Sequence, residues 1–214
     1  MTSTFPDVSI STERLVLRPF QEEDAPAFTE MMNDELVVAW TGAPAPYSEA
    51  DAREWIARGA PAERTSGRGI AFAVADFLTQ QLVGSLQLRS TDWRHLSSVA
   101  AYATAPWARG EGYASEAVLA VANWLFEDQK FERLELRTAA GNTAAQQVAQ
   151  KLGCLSEGVL RNAWIARTRV EDGSWTDVRT DLIVWSLLPE DFDAPLDAVA
   201  GHAYAEYAGW PQRR

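Results

Sequence analysis

Cysteine and histidine are scarce in this chain of 214 residues: Cys154 stands alone, and the two histidines are His95 and His202. One thiol excludes an internal disulfide and a cysteine-built zinc cage, and two imidazoles do not make a histidine metal cluster, so no metal is expected. No Gly-Lys pair occurs, which removes the phosphate loop of nucleoside-triphosphate enzymes, because that loop needs lysine directly after its last glycine. No apolar run approaches membrane-span length, and the opening MTSTFPDVSI has neither the basic nor the apolar part of a secretion signal. These absences predict a cytoplasmic protein with no membrane partner. Basic charge is also short. A net charge of −11 argues against nucleic acid as the main partner and favours, by attraction, a neutral or cationic substrate.

What is present is the composition of an ordinary globular protein, 47% hydrophobic and 23% charged, with enough length for one domain with a well-buried core. Nine tryptophans are compatible with an aromatic homodimer interface. There is no internal repeat. Alternation predicts a first strand over 13–19, with Leu15 and Leu17 on one side. Acids at Glu22, Glu23 and Asp24 open a helix to about Met32, and Ser48-Glu49-Ala50-Asp51 caps a second to about Arg58. Between them, 33–47 reads as irregular, and 59–68 reads as a polar connection. Strands are expected at 70–77 and 82–88, joined as a hairpin, then at 99–105, around 133–137, at 155–167 and at 176–187. Helices are expected at 112–127 and from Asn142 to a stop at Gly153. Cys154, at the following strand's start, reads as a buried structural thiol. Residues 1–188 form the predicted domain; 189–214, alanine-rich and acidic, read as an appended tail with a short helix near 196–208.

The stretch 97–127 carries the chemistry. A strand ended by Pro106 leads through Arg109-Gly110-Glu111-Gly112-Tyr113-Ala114 into a helix with Ala114, Ala117, Val118, Val121 and Leu125 on one face. Two glycines let the backbone take positive φ and approach a ligand, and the helix start offers unpaired N–H groups, the arrangement that binds phosphate. Arg109 adds charge, and Glu111 fits only if it points to water. Taken alone, the turn is also compatible with a plain strand-to-helix connection. A dinucleotide fingerprint is approached by Gly110-x-Gly112, with Glu132 or Glu135 at ribose distance, but Ser115 stands where Gly or Ala belongs, and the turn comes after several strands rather than first.

Arg109-x-x-Gly112-x-Ala114 resembles the pyrophosphate loop of the GNAT N-acyltransferases. The surroundings resemble their RimJ/RimL-like branch: Glu13 to Pro19, Gly112 to Ala117, Asn142, Lys151-Leu152-Gly153, Glu157 to Arg161, and Asp181 before an apolar strand, in order over 12–188. The resemblance implies an α/β (α+β) fold, a mixed, mostly antiparallel twisted sheet of about seven strands flanked by about four helices. It implies acetyl transfer from acetyl-CoA to a primary amine, a peptide N-terminus or a small molecule, by direct attack in a ternary complex.

The backbone of Gly110 to Ser115, including Glu111, Tyr113 and Ala114, would hold the pyrophosphate beside Arg109. Tyr102, Ala103 and Thr104 would line the pantetheine, and Asn142 would touch the coenzyme A arm, although Asn142 also reads as a helix N-cap. Glu35, Trp40, Tyr47 and Trp55 fall in the region that walls the acceptor. In the family the leaving-group acid is a Ser three residues after the asparagine or a Tyr four residues before the helix-ending Gly. Here Ala145 and Ala149 occupy those places, which leaves water, another residue such as Tyr102 or Ser156, or no acid at all. For the base, Glu35, Asp92 and Glu157 are candidates, Asp92 first because its loop leads into the cofactor strand. Two other readings stay open: the same fold with another acyl-CoA or an aminoacyl-tRNA as donor, and a coenzyme A-binding protein without turnover.

Overall fold

The structure is a computed structural model that describes residues 3–193. Its strands are β1 (Ile10–Ser11), β2 (Leu15–Arg18), β3 (Ile70–Asp76), β4 (Leu82–Asp92), β5 (Ser97–Thr104), β6 (Arg133–Ala139), β7 (Leu155–Arg169) and β8 (Trp175–Leu187). They form one sheet in the order β1-β2-β3-β4-β5-β6-β8-β7. Every neighbouring pair is antiparallel except β5 and β6. The mixed, mostly antiparallel α/β fold implied by the resemblance is therefore the observed one, with eight strands in place of about seven. The extra strand, β1, is two residues long, and alternation does not show in two residues.

The helices are α1 (Ala25–Met32), α2 (Glu35–Thr41), α3 (Glu49–Glu54), α4 (Ala60–Thr65), α5 (Tyr113–Glu127), α6 (Thr143–Lys151) and α7 (Pro189–Asp193). This exceeds the four expected, for identifiable reasons. The stretch 33–47 read as irregular holds α2, because the Asp34 carboxylate accepts from the N–H groups of Leu36 and Val37, buried Val37 and Val38 anchor the turns, and Gly42 ends them at φ +67°. The second helix also runs past Arg58. Residues Trp55–Gly59 widen into a π-helical turn between α3 and α4, which lets the chain accept Pro61 without losing the axis. At its start Ser48 and Asp51 form the expected capping box. The helix expected near 196–208 lies outside the described residues.

Burial follows the alternation. Leu15, Leu17, Phe72, Leu86, Leu88, Leu134 and Leu136 are closed from solvent in one core with Val118, Val121 and Leu125 of α5, whereas Ala114 stays half-exposed at the helix start. Cys154 is buried, and burial, then the charge of Asp191, pushes its thiol up to about 12, so it is an unreactive core group.

The sheet is not continuous along its full length. β5 and β6 pair only from Ser97↔Arg133 to Ala100↔Leu136. Beyond that row β5 stays with β4 to Thr104↔Gly84, and β6 stays with β8 to Ala139↔Leu182. The sheet therefore splits into a wedge whose β5 bank is Ala101–Thr104. Since N–H and C=O groups alternate along a strand, part of that bank's backbone polarity faces the gap.

Candidate active site

At the open end of the wedge, β5 passes through Pro106–Ala108, a short 3-10 turn, into the glycine loop. Gly110 and Gly112 sit at φ +85° and +80°, the left-handed region that a side chain makes costly. They turn the chain so that α5 starts at Tyr113 without a side-chain cap, its first backbone bond running from the Glu116 N–H to the Gly112 carbonyl. The N–H groups of Tyr113, Ala114 and Ser115 are the unpaired first turn of the helix, and they face the loop. Glu111 is exposed, as its charge requires, and only its carbonyl is used, accepting from Arg14 Nη1 at 3.2 Å.

Cations ring this cradle. A Cβ added at Gly112 would stand 3.5 Å from Lys151 Nζ and 3.9 Å from Arg14 Nη2. Arg14 is clamped to the first turn of α5: Nε donates to Glu116 Oε2 at 2.8 Å, Thr12 Oγ1 donates to Glu116 Oε1 at 2.6 Å, and the guanidinium lies over the Tyr113 ring at 4.9 Å. Burial pushes the Glu116 carboxyl up, but the hydrogen bonds from Thr12 and Arg14 and the Arg14 charge outweigh it and hold it below its usual range. Arg109, the cation expected at the phosphate, donates instead to Asp34, with one contact at 3.3 Å and a shorter one. The Lys151 and Arg14 side chains come from the far end of α6 and from the residue just before β2, and no local pattern brings them to the loop. Both fall inside the blocks that carry the family resemblance, but neither has a role legible there.

The opposite bank is the end of β6 at Ala139, which leads into α6. Asn142 caps it, its Oδ1 accepting from the Ala145 N–H at 3.1 Å. Gly141 is glycine because Trp40 of α2 packs there: a Cβ would come 3.0 Å from the indole Cη2. Tyr102 reaches across from β5, its hydroxyl donating to the Ala145 carbonyl at 3.3 Å. Burial, then the nearby Cys154, raises the Tyr102 phenol well above its ordinary value, so it keeps its proton. Tyr102, Trp40 and Asn142 thus gather around the first turn of α6, while Ala103 and Thr104 continue the β5 bank toward the loop.

The remaining residues singled out in the sequence lie elsewhere. Asp92 closes β4 opposite Ser97, roughly 16 Å along the strand from Tyr102 at about 3.3 Å per residue. There it accepts from the backbone N–H groups of Arg94 and His95 and pairs with His95 Nδ1 at 2.9 Å. Those bonds hold its carboxyl below the usual range, which makes a weak base, and the structure does not bring it to the wedge. Glu157 is gripped by Arg133 Nη1 at 2.7 Å, and that bond, opposed by burial, keeps it low as well. Glu35 pairs with Arg169 at 2.5 Å. Tyr47 packs edge-on against Phe28, its backbone bonded to the Asn33 side chain. Trp55 lines a depression over β4, on the other side of the sheet from Tyr102. Among the described residues no group of three or more metal-binding side chains converges, and no helix is long and apolar enough to cross a membrane.

The sequence model described as "Acetyltransferase (GNAT) domain" matches residues 14–155. The chain is 26% identical over 152 residues to YoaA, an uncharacterized N-acetyltransferase of Bacillus subtilis, which covers 71% of this chain and 85% of that one. In fold it is similar to RimJ of Mycobacterium smegmatis, solved with a CoA disulfide, at a TM-score of 0.73 and 20% identity, over 90% of this chain and 93% of that one. It is also similar to RimL, an alpha-N-protein acetyltransferase solved with coenzyme A, at a TM-score of 0.73 and 16% identity over 85% and 98% of the two chains. With a family match spanning β2 to the start of β7, and with the split sheet and glycine loop in place, this chain belongs to the GNAT acetyltransferase family, and it is an acyltransferase.

Proposed function

We propose that this protein moves an acetyl group from acetyl-CoA to a primary amine, either a peptide N-terminus or a small-molecule amine, by direct attack with both substrates bound. The observation that carries the reading is the continuity of wedge and cradle. The β5 bank, with open backbone polarity at Ala101–Thr104, leads straight into Gly110 and Gly112 in left-handed conformation and the bare first turn of α5, with Lys151 and Arg14 beside it. A linear thioester with a pyrophosphate at one end fits that line. Acetyl-CoA, when bound, supplies an activated acyl carbon and a thiolate leaving group.

The chain's own residues supply the rest. N–H groups of Gly110 to Ser115 bind the pyrophosphate, Lys151 and Arg14 balance its charge, and Asn142 fixes the α6 turn that closes the other bank. The amine forms its bond to the acyl carbon as the carbon–sulfur bond breaks. Tyr102, kept neutral, then turns its one O–H from the Ala145 carbonyl to the departing sulfur and donates a hydrogen bond there, in the place that Ala145 leaves empty. With Asp92, Glu157 and Glu35 each held by a cationic or imidazole partner, the amine proton passes to water in the open wedge.

The test is calorimetry with acetyl-CoA together with thiol release. Wild type is expected to bind at micromolar strength and to release thiol when a suitable amine is added. Because no carboxylate base takes part, release with a peptide N-terminus should rise about tenfold per pH unit toward the amine pKa of roughly 7.7–8.0 and then level. A profile that levels between about pH 5 and 6 instead would mean that a protein carboxylate removes the proton. Absence of acetyl-CoA binding would overturn the reading as a whole.

A further inference from the structure

The sheet face opposite Tyr102 holds a depression of about 490 Å³ whose lining includes Trp55, Glu63, Arg68, Gln87, Arg89 and Thr91. Its position follows from register. Arg89 pairs with Val99, which pairs with Glu135, and one row further toward the wedge Gln87 pairs with Ala101. Since residues two apart share a face, Arg89, Gln87, Glu135 and Arg137 lie on one face around the row where β5 and β6 part. The thioester end of the wedge and this depression are therefore two sides of the same few residues of β5, and those on this side, Val99, Ala101 and Ala103, are small.

The charges in the depression do not balance. Glu63 is neutralised by Arg68 at 2.9 Å, and Arg137 is held by Glu135 at 2.9 Å. Thr91 is bonded to Ser98 at 3.1 Å. Arg89 is half-buried, and among the described residues its side chain has neither an ion pair nor a hydrogen bond. Its surroundings oppose its charge: burial, then repulsion from Arg137, lowers its pKa from the ordinary guanidinium value. A guanidinium removed from water without an anion is costly to the fold, and arginine stays charged. Gln87, with no side-chain partner among the described residues, places an amide beside it.

We propose that Arg89, helped by Gln87, binds a carboxylate on the acyl acceptor, so that the acceptor class is amines that carry an acid group. This rests on the acetyltransferase reading above. One unpaired guanidinium matches one negative charge, and its planar fork suits a carboxylate. Trp55 supplies an apolar wall for the carbon atoms between acid and amine, and the amine reaches the wedge past the small side chains of β5. The acid can belong to a free amino acid or to an acidic residue near a peptide N-terminus, and the test separates these sources.

The Arg89 Nε–Hε resonance is followed by NMR in the full chain with coenzyme A added, during titration with succinate and with its neutral counterpart succinamide. Succinate should move the resonance and succinamide should not; an unmoved resonance overturns the proposal. Thiol release is then compared for L-alanine against L-alaninamide and for Ala-Glu-Ala amide against Ala-Gln-Ala amide. In one of the pairs the carboxylate acceptor should lead by about tenfold or more in kcat/KM, and that pair identifies the source. In Arg89→Gln the lead should fall to unity while acetyl-CoA affinity stays at the wild-type value, and Arg89→Lys should keep part of it. A lead that survives in Arg89→Gln overturns the assignment. Should acetyl-CoA fail to bind at all, the acetyltransferase reading falls, while the succinate titration still decides whether Arg89 holds an acid.

Discussion

The floor and the rim of the glycine loop are made of different material. The floor is backbone: two glycines in left-handed conformation and the open first turn of α5, all within seven consecutive residues, Arg109 to Ser115. The rim is side chain: Lys151 from the end of α6, Arg14 from the edge of β2, and Arg109, which belongs to the loop by sequence but is bonded to Asp34. A floor of this kind has its shape before any ligand arrives. The rim depends on where distant elements come to rest, and each of its cations has or lacks a competing carboxylate. Altering the floor should thus weaken binding far more than altering the rim.

The largest effect is expected at Gly112. An aspartate there would have to hold a left-handed backbone angle, a cost of about 1–2 kcal/mol for a residue with a side chain. Its carboxylate would also stand within reach of Lys151 and Arg14 and pair with them in place of a phosphate. Gly112→Asp should therefore weaken acetyl-CoA binding by about a hundredfold or more in calorimetry. Near-normal binding by this variant would mean that the loop is only a turn.

Tyr102→Phe comes next and belongs to neither floor nor rim. It should lower kcat by about a hundredfold with acetyl-CoA affinity unchanged, because the lost hydrogen bond acts on the leaving sulfur and not on the ground-state complex. A variant that loses affinity in parallel with kcat would assign Tyr102 to binding.

The same division explains what is legible in the amino-acid sequence. The floor is, because glycine spacing, the strand before it and the helix after it are local. So are the strands and the core, since the alternation of Leu15, Leu17, Leu134 and Leu136 reports burial directly. The helix α2 is not, because its seven residues sit among Gly42, Pro44 and Pro46 and depend on a cap from Asp34 and on packing by Val37 and Val38. Nor is the rim. Lys151 lies 39 positions from Gly112, and only the fold brings them together. Asp92 shows the opposite error. Closeness along the chain to the cofactor strand suggests a role, but a strand has two ends, and Asp92 is at the one away from the loop.

Lys151→Ala tests the rim directly. Acetyl-CoA should bind about five- to tenfold more weakly, because one charge-assisted contact to a phosphate is lost while the backbone cradle stays intact. The difference from wild type should shrink as salt is raised from about 0.05 to 0.5 M, as screening reduces what an exposed ammonium contributes. Equal affinities at low salt would remove Lys151 from the site.

The smallest change, Asp34→Asn, runs in the other direction. Asp34 does two jobs: its carboxylate caps α2 and it ties up Arg109. Asparagine caps about as well, so the helix should persist, while the charge that competes with a phosphate for Arg109 disappears. Acetyl-CoA affinity should rise by about two- to threefold, the scale of a partly exposed ion pair. Burial pushes the Asp34 carboxyl up, but the Arg109 bond and the N–H groups of Val37 and Leu36 outweigh it, leaving it below the usual range. A carboxyl lowered in this way keeps its pair above the unfolded value of about 3.9 and loses it only as pH falls through the lower folded value. The gain should therefore be flat between about pH 6 and 9. A loss of affinity in Asp34→Asn, with the melting temperature unchanged, would show that Asp34 holds Arg109 in the position the phosphate needs, and Arg109 would then belong to the preformed floor and not to the rim.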